Sequence, residues 1–340
     1  MLKVRHKNHI EKLRENQNHN RNAYRRPNVL AGIKARRQYL DGDEANQPRA
    51  IAHQRGGGLR HIAVGKGAVV VQSDAHFPLL ETAISLAQDE YPDLDVQQIL
   101  SDVDQLQARL KRRLPADASS LQKLRLLNQF FFRDLGFGGN LNNYYDPDNT
   151  YLNVMLKTRR GIPISLAVLW LELAGSLGLN ARGVAFPGHF LVKVNLPKGQ
   201  VVIDPFSGQS LSREELSERL EPFRQRRLAD SDGESDYDTP IGLYLQSAPP
   251  RDIISRMLHN LKEIHRTQED WPRLIAVVDR LIVLHPDAWA EYRDRGLAWA
   301  VQGQAARAVP DLEQYLAHAS DATDLDAVAR RVALLRREAN

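Results

Sequence analysis

The chain contains no cysteine in 340 residues. That absence excludes disulfide cross-links, thiolate metal ligands and thiol-based catalysis, and it leaves the redox compartment unmarked by thiols. Long apolar runs are also missing. The longest mostly apolar stretch, Ile162 to Leu179, is broken by Pro163, Ser165 and Glu172, so no membrane-spanning helix is expected. No apolar segment follows the first basic residues, so no secretory signal is expected and the cytoplasm is the default location. HxxxH, CxxC and paired-carboxylate patterns do not occur, and the glycines at 56–58 and 136–139 lack both a strand–turn–helix setting and a following GKS or GKT. Neither a metal nor a cofactor is therefore expected.

Charge is present but unevenly placed. Residues 1–71 carry 15 Lys and Arg against 5 Asp and Glu, whereas the rest carries 31 against 37. The basic pI of 9.2 thus belongs to the tail, and the remainder is mildly acidic. The tail is rich in Arg, Asn, His and Gly, with little apolar periodicity, so it is expected to be disordered. Nucleic-acid association is a minor reading confined to that tail.

From Phe77 onward, apolar residues recur at helical spacing. Leu79, Leu80, Ala83, Ile84 and Ala87 form one stripe; Val96, Ile99, Leu100, Val103, Leu106 and Leu110 a second; Leu121, Leu124, Leu127, Phe130 and Phe131 a third. The span GFGGNLNNYYDPDNTYLN is turn-rich. Ser212 with Glu215 reads as a capping box, and DSDGESDYDTP as an acidic surface loop. Near the C-terminus, Tyr292, Gly296, Trp299, Gly303, Ala308, Leu312 and Tyr315 fall at tetratricopeptide offsets, preceded by a looser unit from Leu258 to Pro286 and followed by a capping helix from Val328 to Leu335. Two units and a cap rarely stand alone, so they are expected to dock on the domain before them.

Most of the functional information lies between Arg159 and Asp204. An apolar helix is predicted from Pro163, whose fixed φ suits a first turn, to Gly178. HFLVKVN and QVVID then alternate as strands joined by a Pro-Lys-Gly turn, one opening on His189 and the other closing on Asp204. On adjacent antiparallel strands these two side chains come within hydrogen-bonding reach, as base catalysis requires. A buried His–Asp pair stapling two strands fits the same spacing. Ser165, in the first helical turn, is the candidate nucleophile, although serine there commonly satisfies backbone groups. Tyr145, Asn153, Arg159, Arg160 and Pro163 are candidate cleft residues, the two arginines as carboxylate ligands or as solvated charges.

The segments YYDPDNTYLN, RRGIPISLAVLWLELAGSLGL, FPGHFLVKV and IDPFSGQSLS, with the C-terminal NLKEIH and RDRGLAWAVQG, resemble the bacterial SirB family, in which a transglutaminase-like core precedes tetratricopeptide repeats. The resemblance covers residue 75 to the end. It implies an α+β fold: a papain/transglutaminase-like core with an N-terminal helical region and C-terminal tetratricopeptide-like α-hairpins. The implied division is a tail at 1–71, a core at 72–245 and repeats at 246–340. Set against transglutaminase-like enzymes, Gly161, Ala167, Leu177, Gly178, Ala181 and Arg182 take the enzymes' positions without a gap, and His189 and Asp204 take the base and its acid. Pro163 falls on the cysteine. Ser165 lies about 200° round the helix from that position. The resemblance therefore implies a degenerate, non-catalytic protein that binds a protein or peptide partner. The alternative is a serine-dependent amidase, peptidase or acyltransferase using Ser165, His189 and Asp204.

Overall fold

The computed structural model describes residues 77–230, 240–320 and 322–338. The basic tail and most of the acidic 230–240 loop lie outside the described residues. All described residues belong to one compact unit, Leu59–Asn340.

The three N-terminal stripes form helices whose ends follow from local chemistry. Helix α1 (Leu79–Ser85) tightens into a 3₁₀ turn at Leu86–Asp89. Helix α2 (Val96–Lys111) starts at Asp95, whose carboxylate accepts from Gln97 N and Gln98 N, and it buries Ile99, Val103, Leu106 and Leu110. Helix α3 (Ser120–Asn128) opens on a Ser119–Gln122 capping box and widens into a π-turn at Gln129–Asp134. The turn-rich span then holds a 3₁₀ turn at Pro147–Asn149 and a helix the sequence pattern did not reveal, α4 (Leu152–Thr158), which ends on Arg159 at φ 60°.

Helix α5 (Pro163–Ser176) is the centre of the molecule. Ten of its residues are buried, because its apolar side chains run nearly all round it. Trp170 is wholly buried, and its indole N–H donates to Asn128 Oδ1 at 3.1 Å, so this large ring enters the core without an orphaned donor. Gly178, at φ 68°, turns the chain out of the helix. An antiparallel meander follows in the order β3 (Ala181–Val184), β4 (Leu191–Leu196), β5 (Gly199–Ile203) and β6 (Ser210–Leu211). A separate two-residue parallel pair joins β1 (Gly138–Gly139) to β2 (Arg160–Gly161).

Strand alternation divides the core. Val192, Val194 and Ile203 join the main apolar cluster around α5, while Val184, Leu191, Val202 and Leu211 pack with Leu216 and Leu220 of helix α6 (Arg213–Asp230) and with Ile241 of helix α7 (Ile241–Tyr244). The Ser212–Glu215 capping box opens α6.

Five helices complete the chain: α8 (Pro250–Thr267), α9 (Trp271–Leu284), α10 (Trp289–Val301), α11 (Ala305–His318) and α12 (Leu325–Glu338). Gly296 lets α10 and α11 touch, since a Cβ there would sit 2.8 Å from the Leu312 side chain. The hairpins are docked, not appended. Ile253, Ile254, Met257, Leu258 and Leu261 of α8, with Val277, Leu281 and Leu284 of α9, belong to the same apolar cluster as α5. Beside that shared core, Lys262 of α8 is 1% exposed and reaches Glu291 at 2.5 Å and Asp294 at 2.7 Å, both on α10. Among the described residues no helix is long and apolar enough to cross a membrane.

Candidate functional site

Topology brings the start of α5 and the His–Asp pair to one end of the core. Helix α5 leaves at its C-terminal end into β3, which runs back along it. Val184 at the end of β3 pairs with Leu191 at the start of β4, and Val192 pairs with Ile203 at the end of β5. The residues just before β4 and just after β5 therefore share the end at which α5 begins. His189 sits in the turn ahead of β4, with its N–H donating to Phe186 O, and Asp204 follows β5.

A ladder of backbone bonds ties this turn to the start of α5. Gly139 N donates to Phe206 O at 2.9 Å, and Asn140 N donates to Gly161 O at 3.1 Å. Gly161 lies two residues before Pro163. The approach demands glycine on both sides: a Cβ at Gly139 would fall inside the Phe206 ring, and one at Gly161 would meet Ser165 Oγ at 2.7 Å.

His189 Nε2 lies 2.9 Å from Asp204 Oδ1, so this nitrogen carries the proton that is donated to the carboxylate. The same oxygen accepts from Phe206 N at 2.9 Å, and Oδ2 accepts from Arg219 Nη1 at 3.1 Å. Burial is the largest influence on the Asp204 carboxyl and opposes ionisation. The hydrogen bond and charge of His189, the Phe206 N–H and Arg219 outweigh it together, and hold the pKa below the ordinary carboxylate value. Arg256 of α8 donates to His189 O at 2.9 Å, which fixes the histidine backbone to that helix. Among the described residues His189 Nδ1 has no hydrogen-bond partner, and the side chain is 24% exposed.

Ser165 is not brought to that nitrogen. Its hydroxyl is fully buried, lies 2.7 Å from Asn149 O and 3.0 Å from Ile162 O as donor, and accepts from Ile162 N at 3.2 Å. It pins the 3₁₀ turn at Pro147–Asn149 against the start of α5. Pro163 is the first residue of α5 and is buried. Three of the other expected cleft residues, Tyr145, Arg159 and Arg160, gather near Phe137 and Phe206. Tyr145 is 73% exposed and packs on Tyr144, which touches Phe206. Asn153 is buried in α4. Arg159 lies over the Phe137 ring, 4.6 Å from its centre, and Arg160 donates to Gly136 O at 2.6 Å.

Three contributors were not read from the sequence: Arg219, the Phe206 amide and Arg256. An amide has no sequence signature. The only hint for Arg219 is its place between Leu216 and Leu220, whose apolar stripe turns that face of α6 toward the sheet.

Residues 97–259 match the transglutaminase-like superfamily and residues 261–333 the tetratricopeptide repeat. A UPF0162 protein of Xylella fastidiosa is 38% identical over 244 residues, covering 72% of this chain and 84% of that protein. One from Pseudomonas aeruginosa is 28% identical over 72% of this chain and 86% of its own length, and Escherichia coli YchA is 25% identical over 70% and 86%. No solved structure matches. With a transglutaminase-like core running into tetratricopeptide hairpins, and with this identity along most of both chains, the chain belongs to the UPF0162 family, the SirB family that its sequence resembles.

Proposed function

We propose that this protein is a non-catalytic transglutaminase-like protein of the cytoplasm that recognises a protein or peptide partner. The surfaces it uses are the His189–Asp204 end of the core and the docked repeats. One observation carries the reading. The nucleophile position is Pro163, and the nearest hydroxyl in sequence, Ser165, spends its proton on backbone carbonyls. A nucleophile must instead give its proton to the base. The imidazole–carboxylate pair is thus a polar, partly exposed group at the mouth of a preformed core, suited to hydrogen bonding with a peptide backbone or side chain. Stacked helical hairpins commonly present a binding face, and Arg256 couples α8 to the His189 loop.

The test uses purified full-length protein against a panel of amides and esters and a fluorophosphonate serine probe. No turnover and no labelling that depends on Ser165 or His189 is expected. Labelling abolished in both Ser165→Ala and His189→Ala would overturn the reading in favour of a serine hydrolase.

A further inference from the structure

Next to the Asp204 turn lies an open cavity of about 450 Å³, within the size range of ligand sites, roughly 300–1,000 Å³. One wall is the end of α3 and its π-turn, which present Arg125, Gln129, Phe132 and Arg133. The other is the turn after Asp204, with Phe206 and Ser207. The lining holds two guanidinium groups and no carboxylate.

The positive charge is uncompensated. The side chains of Arg125 and Arg133 make no ion pair or hydrogen bond among the described residues. The neighbouring carboxylate, Asp134, is already held by Arg113 and by Gln129 Nε2 at 3.0 Å. Behind Phe137, which also borders the cavity, stands the guanidinium of Arg159. Burial, and then the charge of Arg109, push the pKa of Arg159 down. Such a concentration of one sign, walled by aromatic rings, favours an anionic ligand.

The aromatic wall continues outward. Phe206 meets Tyr144 at 6.1 Å between ring centres, and Tyr144 meets Tyr145 at 5.4 Å. Tyr145 and the nearby Leu141 are 73% and 76% exposed. The surface therefore runs from a cationic cavity onto an apolar strip, which suits a chain carrying acidic and apolar side chains in turn. A nucleic acid fits less well. It needs an extended basic face, and residues 72–340 carry 31 basic against 37 acidic side chains.

We infer that this cavity binds the acidic side chains, or the terminal carboxylate, of a peptide, with Arg125 and Arg133 as ligands and Phe206 and Tyr144 as the adjoining platform. The inference rests on the peptide-recognition reading above and names the class of peptide. Arg125 and Arg133 would each form a charge-assisted pair worth about tenfold in affinity.

The experiment exposes labelled full-length protein to an array of random octapeptides and measures the affinity of recovered sequences by fluorescence anisotropy at two salt concentrations. Recovered peptides should be enriched in Asp and Glu interleaved with apolar residues. The double substitution R125Q/R133Q should weaken them by about a hundredfold, and R125E/R133E should shift the recovered set toward Lys and Arg. Both residues are exposed, so an unchanged melting temperature is the control for folding. Peptides recovered without acidic enrichment, and unaffected by either double variant, would overturn the inference and leave peptide recognition standing. No peptide recovered at all would overturn both. Tighter binding of a single-stranded oligonucleotide, abolished by the same variants, would reassign the cavity to nucleic acid.

Discussion

A cysteine placed at position 163 would be the sole thiol in the molecule, because the chain has none, so its chemistry can be followed without background. If the start of α5, tied to the Asp204 turn by the Gly139–Phe206 and Asn140–Gly161 backbone bonds, faces the free nitrogen of His189, Pro163→Cys places a thiol beside an imidazole that Asp204 already orients. An ordinary thiol of pKa about 8.5 is about 0.3% thiolate at pH 6. One stabilised by an imidazolium and a helix N-terminus, with a pKa of about 6, is about half thiolate, a gain of roughly 150-fold. The less basic thiolate is intrinsically slower by roughly 13-fold at a Brønsted slope of about 0.45, so the net acceleration toward a disulfide reagent is about tenfold. The assay is the rate of reaction with dithiodipyridine from acid to alkaline pH. Pro163 is buried, which slows reagent entry at every pH alike, so the midpoint of the profile is the quantity to compare. The expected midpoint lies near 6 and moves toward about 8.5 in Pro163→Cys/His189→Ala. A Ser165→Cys control, aimed at Asn149 O, should show no such midpoint. A Pro163→Cys profile centred near that of free cysteine and indifferent to His189 would refute the placement of Pro163 opposite the base.

Three further outcomes follow from the packing. Ser165→Ala removes a buried hydroxyl shared by Asn149 O and Ile162 N, and should lower stability in urea unfolding by about 1–3 kcal/mol while leaving peptide binding unchanged. Lys262→Met removes the buried cation shared by Glu291 and Asp294, which keep His259 and the pair Arg266 and Arg293 as partners, and should cost about 1–3 kcal/mol. Adding Glu291→Gln should restore part of that loss, read in the same unfolding assay. Because the folded Asp204 pKa lies below its unfolded value, its stabilisation is present above about pH 4 and is lost as pH falls through the folded value. The melting-temperature gap between wild type and Asp204→Asn should accordingly be widest near neutrality and close in acid.

What the sequence disclosed were patterns that one segment carries by itself. The all-round apolar character from Ile164 to Leu173 marked α5, the alternation in HFLVKVN and QVVID marked the strands beside His189 and Asp204, and the small residues at 296 and 308 marked the α10–α11 contact. The features it withheld are made between segments. The strands β1 and β2 are two residues each, too short for any period, and exist because Gly139 and Gly161 allow backbones to meet. Helix α4 is hidden by the Asn and Tyr residues that begin it. The direction of Ser165 depends on where Asn149 O is brought by a distant turn. The cavity joins Arg125 and Arg133 to a loop more than seventy residues away, and no local signal in either segment announces it.

Proline at the start of α5 shows how such a core can keep its architecture with no reactive side chain at that position. The first turn of a helix has no acceptor for its N–H groups, so proline there gives up nothing and arrives with φ already set. No bond in the structure requires a side-chain donor at that position. His189 and Asp204 differ in kind. Asp204 holds the Phe206 amide, the His189 ring and Arg219 at once, and Phe206 in turn carries the bond to β1 that secures the start of α5. Removing the acid therefore loosens a turn, two strands and a helix end, whereas removing a thiol loosens nothing. The pair has a structural role of its own, and its presence alone is weak ground for inferring catalysis.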